Sequence, residues 1–108
     1  MFLINVEDRG EATILCCRGS LVAREAVERF RDIALRYCDG LLLIEASELD
    51  RIDAAGVGVW LELHQNAERS GGTVIIADPA LWVRECLRLT RVDTVLLVVS
   101  RAESEGAA

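Results

Sequence analysis

Two periods of apolar and polar positions run along the chain, and the switches between them lay out its elements. Residues 2–7, Phe-Leu-Ile-Asn-Val-Glu, alternate apolar and polar and run into the turn Asp8-Arg9-Gly10. Thr13-Ile14-Leu15-Cys16-Cys17 reads as a second short strand, so the chain opens on a hairpin, which Gly19-Ser20 ends. Ala23, Ala26, Val27, Phe30, Ile33, Ala34 and Tyr37 then recur at helical spacing. Arg24, Glu28, Arg31 and Asp32 form the solvated face of that helix, and Asp39-Gly40 stops it. Leu41-Leu42-Leu43-Ile44 is a continuous apolar run, the pattern of a strand buried on both faces. A polar loop over residues 47–51 leads to Ile52-Asp53-Ala54-Ala55-Gly56. A second helix carries Val57, Trp60, Leu61, His64 and Ala67 on its apolar stripe and ends at Ser70-Gly71-Gly72.

Val74-Ile75-Ile76-Ala77 is the next buried strand. Asp78-Pro79 opens a third helix, with Asp as cap and Pro in the first turn. Residues 95–99 form the last strand, and 100–108 are a polar tail. The order β-β-α-β-α-β-α-β predicts an α/β fold, a mixed β-sheet with amphipathic helices packed on it. At 108 residues the chain is one domain, 1–108.

Charge narrows the function classes. Twelve basic against 18 acidic residues give a net charge of −6, which argues against a nucleic-acid or anionic-membrane surface. Hydrophobic residues make up 52% of the chain, enough for a packed core. No apolar run approaches the ~18 residues of a membrane span, and the acidic N-terminus does not read as a signal peptide. A cytoplasmic location follows as the expectation. Cys16, Cys17, Cys38 and Cys86 include no C-x-x-C, and His64 is the lone histidine. The thiols are therefore expected free and buried, with no metal site.

Catalytic signatures are missing as well. Gly56-Val57-Gly58 is not continued as G-x-G-x-x-G, and no Walker A motif occurs. His64 has no nucleophile at a telling position, and Glu25, Glu28, Glu62 and Glu85 read as solvated helix positions. The expectation is no catalytic residue, no cofactor and no enzymatic activity. The distinctive segment is Asp53-Ala54-Ala55-Gly56 at the start of the second helix, where Asp53 is placed as an N-cap.

From about Gly19 onward the chain resembles the STAS domains, named for sulphate transporters and anti-sigma factor antagonists. The resemblance rests on Leu41-Leu42-Leu43-Ile44-Glu45-Ala46, on Leu49-Asp50-Arg51-Ile52-Asp53, and on Asp53-Ala54-Ala55-Gly56-Val57-Gly58 against the family's Asp-Ser-Ser-Gly-Leu-Gly. Gly19 and Leu21, the helix end at Ser70-Gly71-Gly72, and Val83, Leu87 and Val92 also fit. The resemblance implies a protein-interaction module of the anti-sigma factor antagonist type, which binds an anti-sigma factor that is also a serine kinase. Ala54 stands at the position of the family's phosphorylated serine, so that switch is expected to be absent. Ser20 and Val22 stand where the family often has acidic residues, and Arg91 where it often has Gly.

The partner surface implied is residues 47–50 with the start of the second helix: Ser47, Glu48, Asp50, Asp53, Ala54, Ala55, Gly56 and Val57. The alternative is a STAS subunit of an ABC-type lipid-transport complex or another multi-protein assembly. An exposed Trp60 or Trp82 would favour that reading, although both are expected in the core. A homodimer is left open.

Overall fold

The computed structural model describes residues 1–100; the polar tail expected over 100–108 lies outside it beyond Ser100. The elements are β1 (Phe2–Asp8), β2 (Ala12–Leu21), α1 (Arg24–Ala34), β3 (Leu41–Ile52), α2 (Ala54–Ser70), β4 (Thr73–Ala77), α3 (Leu81–Leu89) and β5 (Leu97–Val99). Single 3₁₀ turns follow α1 at Leu35–Tyr37 and α3 at Val92–Thr94. The order is the one expected.

The sheet has strand order β1-β2-β3-β4-β5. β1 pairs antiparallel with β2, and the remaining neighbours are parallel. Each parallel step is a crossover through one helix. Crossovers are right-handed, so a sheet that adds strands in one direction only must place every helix on the same face. One core results: Leu15, Leu42, Ile44 and Ile76 of the strands meet Phe30 of α1, Trp60 and Leu63 of α2 and Leu87 of α3. Phe2 joins it edge-on to Phe30, with ring centroids 6.2 Å apart.

Helices on one face correct the expectation that β3 and β4 are buried on both. Leu42, Ile44 and Ala46 are buried, whereas Leu41, Leu43 and Ile75 on the opposite face remain half-exposed. The apolar run was read as two-sided burial, but the topology supplies only one cover.

Boundaries differ in β2, α3 and β5, and the buried stripe of α2 differs too. β2 continues through Gly19-Ser20 to Leu21, with Gly19 at φ +88° kinking the strand rather than ending it. α3 begins at Leu81 with Ala80 at its cap position, because Asp78 takes a left-handed turn at φ +48° before the chain can enter a helix. β5 is shortened to Leu97–Val99 by the 3₁₀ turn before it. The stripe of α2 is rotated from the expected one: Gly56, Val57, Val59, Trp60, Leu63 and Ala67 are buried. Leu61 is only half-buried, and His64 lies at the rim of the stripe with its Nε2 3.2 Å from Glu68 Oε1.

Glu62 and Arg31 were expected as separate solvated charges. The Arg31 guanidinium instead forks onto the Glu62 carboxylate, with Nε 2.9 Å from both oxygens, and so joins α1 to α2. That hydrogen bond holds the Glu62 carboxyl below its ordinary range. All four cysteines are free; Cys17 and Cys38 are buried, while Cys16 and Cys86 are half-exposed. Burial pushes the Cys17 thiol up to about 12.

Candidate functional site

The site is built where three elements end together: the C-terminal part of β3, the start of α2 and the start of α3. Residues 47–51 are not the polar loop expected. β2 keeps pairing with β3 as far as Leu21 opposite Ile52, and the register shifts twice on the way. Cys16 faces Glu45 and Arg18 faces Glu48; Gly19 faces Leu49 and Ser20 faces Arg51. β3 thus carries an extra residue near Ser47 and another at Asp50. Bulges of this kind re-aim side chains at a sheet rim. Ser47, Glu48 and Asp50 are accordingly exposed, while Leu49 between them remains buried. The polarity of 47–51 marks bulges, which look like a loop in sequence.

Asp53 caps α2 as expected: its Oδ1 accepts from the Gly56 amide at 2.9 Å. The second oxygen has a job that spacing did not reveal. Asp53 Oδ2 accepts from the Ala23 amide at 3.3 Å, on the residue before α1. Ala23 sits at φ +72°, ψ 150°, a conformation nearly reserved for glycine. One carboxylate thus ties the starts of two helices.

Gly56 and Val57 are buried, so of the eight residues implied as a partner surface these two lie beneath it. Gly56 is required there by its own chain. A Cβ at that position would stand 2.7 Å from Ile52 Cγ1 and 3.0 Å from the Leu21 carbonyl oxygen. The small residue lets α2 approach β3 closely. Ala54 and Ala55 are exposed on the first turn, and neither carries a hydroxyl.

A neighbouring feature was missed. Trp60 is fully buried, but Trp82 on the first turn of α3 is 78% exposed, against the expectation that both lie in the core. It borders a groove of about 550 Å³ with Val22, Asp50, Arg51, Ile52, Val83 and Cys86. The signal existed in the sequence, since Val83 and Leu87 define the buried side of α3 and leave Trp82 off it. A second groove, of about 480 Å³, is lined by Met1, Leu3, Arg18, Gly19, Glu48 and Asp50. Asp50 lines both. Among the described residues, no cluster of three or more His, Cys, Asp or Glu could hold a metal ion. Among the described residues, no helix is long and apolar enough to cross a membrane.

The profile of the family described as "Mlab, STAS domain" matches residues 4–99. The chain belongs to the STAS domain family. No curated protein matches its sequence. Among solved structures, this STAS domain is similar to the anti-sigma factor antagonist SpoIIAA in its unphosphorylated form. The identity is 20%, over 94% of this chain and 92% of that one, with a TM-score of 0.77. The phosphorylated form of the Bacillus cell fate determinant SpoIIAA matches at 17% identity, over 97% and 98%, with a TM-score of 0.71. An anti-sigma-factor antagonist (STAS) domain protein from Planctomyces limnophilus matches at 16%, over 96% of each chain, with a TM-score of 0.76. Identities this low establish a common fold. Arg91, at φ +60°, holds the left-handed turn after α3.

Proposed function

We propose that this STAS domain is a non-enzymatic docking module of the anti-sigma factor antagonist kind. It binds an anti-sigma factor of the serine-kinase type in the cytoplasm and carries no phosphorylation switch at α2. The observation behind this reading is that Ala54 and Ala55 are exposed at the start of α2, directly after the stretch Asp50-Arg51-Ile52 that lines the Trp82 groove. A capped helix start with two methyl side chains is small and neutral, as an unmodified serine would be. Trp82 supplies the kind of aromatic anchor in which interface hot spots are enriched, which any docking module can use and which by itself favours the second reading below. The whole-length likeness to anti-sigma factor antagonist structures supports the same reading.

The test is capture of a purified kinase-type anti-sigma factor by the wild-type domain and by Asp50→Arg and Trp82→Ala. Trp82 and Asp50 are exposed, so both variants should fold as the parent does while binding weakens about tenfold or more. Unchanged affinity in both variants would remove the surface from the interface. Nucleotide hydrolysis by the purified domain, lost on a single substitution, would overturn the non-enzymatic reading.

A second reading is a STAS subunit of an ABC-type lipid-transport complex or another assembly. The exposure of Trp82 together with the missing hydroxyl at Ala54 favours it. Co-purification with transporter subunits, and none with an anti-sigma factor, would put it first.

A further inference from the structure

The sheet face without helices carries a continuous apolar row. Register pairs Ile14 of β2 with Leu43 of β3, Leu43 with Ile75 of β4, and Ile75 with Leu97 of β5. The first three are half-exposed and Leu97 is 51% exposed, although parallel strands are ordinarily covered on both faces. Neighbouring strands are about 4.8 Å apart, so the row is about 14 Å long. That is the length of about ten helical residues at about 1.5 Å each.

Charge says what fits. Glu7 extends the row beyond Ile14 on β1. Glu45 stands in the adjacent row, between Cys16 and Ala77. Glu7 is paired with Arg9 and Glu48 with Arg18, but no cation pairs with Glu45 among the described residues. The half-buried Cys16 thiol registers the local field: it is pushed up by partial burial first, then by Glu7, Glu45 and Glu48, and drawn back in part by Arg9.

We propose that this face docks a basic amphipathic helix of a partner protein, lying across the strands. Its apolar residues, recurring every three to four positions, cover Ile14, Leu43, Ile75 and Leu97, and Lys or Arg beside that stripe meets Glu45. A second copy of this chain would instead bring the same surplus of carboxylate and another net charge of −6. The surface is separate from the Asp50–Trp82 site.

The probe is a fluorescent peptide of about 18 residues with leucines at helical spacing and flanking lysines. Controls are the same peptide with glutamates for lysines, and a scrambled peptide of equal charge. Anisotropy should show saturable binding of the first peptide alone. Glu45→Arg and Leu97→Asp should each weaken it about tenfold or more, and Trp82→Ala should leave it unchanged. Leu97 lies at an exposed edge and Glu45 takes only the Ser47 amide, so both variants should keep the parent circular dichroism. Equal binding of the scrambled peptide, or loss with Trp82→Ala but not with the face variants, would overturn the proposal. So would self-association of the wild type that the face variants abolish, since a second copy would then be the occupant.

Discussion

Asp53 serves two helices with one carboxylate, and the two roles can be separated. Asp53→Ala removes both acceptors and should cost about 1 kcal/mol for the cap, with the loss at Ala23 added to it. Asp53→Asn keeps a good N-cap oxygen but turns an NH₂ group toward the Ala23 amide. It should fall between wild type and Asp53→Ala in urea unfolding; a midpoint equal to wild type would mean that the Ala23 bond contributes nothing, and one equal to Asp53→Ala that the cap does. Two glycines on α2 make a similar contrast. A Cβ at Gly56 meets Ile52 and the Leu21 carbonyl, so Gly56→Ala should destabilise by about 1–3 kcal/mol. Gly58 is exposed with nothing within 4 Å of its would-be Cβ, so Gly58→Ala should stabilise by up to about 1 kcal/mol. Thermal melting of both variants checks the pair, and a shift of the same sign in both would refute the account.

Pairs of elements show where sequence reasoning reached and where it stopped. The strand–helix order, the Asp53 cap and the end of α2 were legible because each depends on local periodicity or local hydrogen bonding. The bulged end of β3 was not, because its continuation depends on β2 lying alongside; polar residues at 47–51 look the same in a loop and on a rim. The Arg31–Glu62 fork was equally hidden, since it joins positions 31 residues apart that only the α1–α2 packing brings together. This pair carries a pH signature. Glu62 is held below the usual glutamate value near 4.5 by its hydrogen bond with Arg31. Its contribution to stability is therefore complete above that value and lost as pH falls through the lowered folded value. Both side chains are partly exposed, at 43% and 33%, so the effect is modest and screened by salt. The gap in urea midpoint between wild type and Glu62→Gln should be present at neutral pH, shrink in high salt and close in strong acid. A gap that persists unchanged in acid would assign it to lost packing.

For the whole molecule, the question is whether the exposed start of α2 is read by a partner through its charge. Ala54 is the first residue of the helix, exposed and without a hydroxyl. Ala54→Ser places a residue that is at home near a helix start and should leave stability almost unchanged. A kinase-type partner that still recognises this surface should then phosphorylate Ser at position 54, adding about −1.5 to −2 charges beside the carboxylates of Asp50 and Asp53. The helix dipole offsets part of the repulsion within the free domain, by about 0.3–1 kcal/mol at an exposed site. A partner docked over the position gains no such relief, because docking strips water from the added charge and leaves it against Asp53. Binding should therefore rank wild type and unmodified Ala54→Ser together, then Ala54→Glu with its single charge, then the phosphorylated serine variant. Titration of one anti-sigma factor against all four forms, with mass spectrometry locating the phosphate, measures the order. Equal affinities throughout would show that the partner does not sit on the start of α2, and the assembly-subunit reading anchored on Trp82 would then lead.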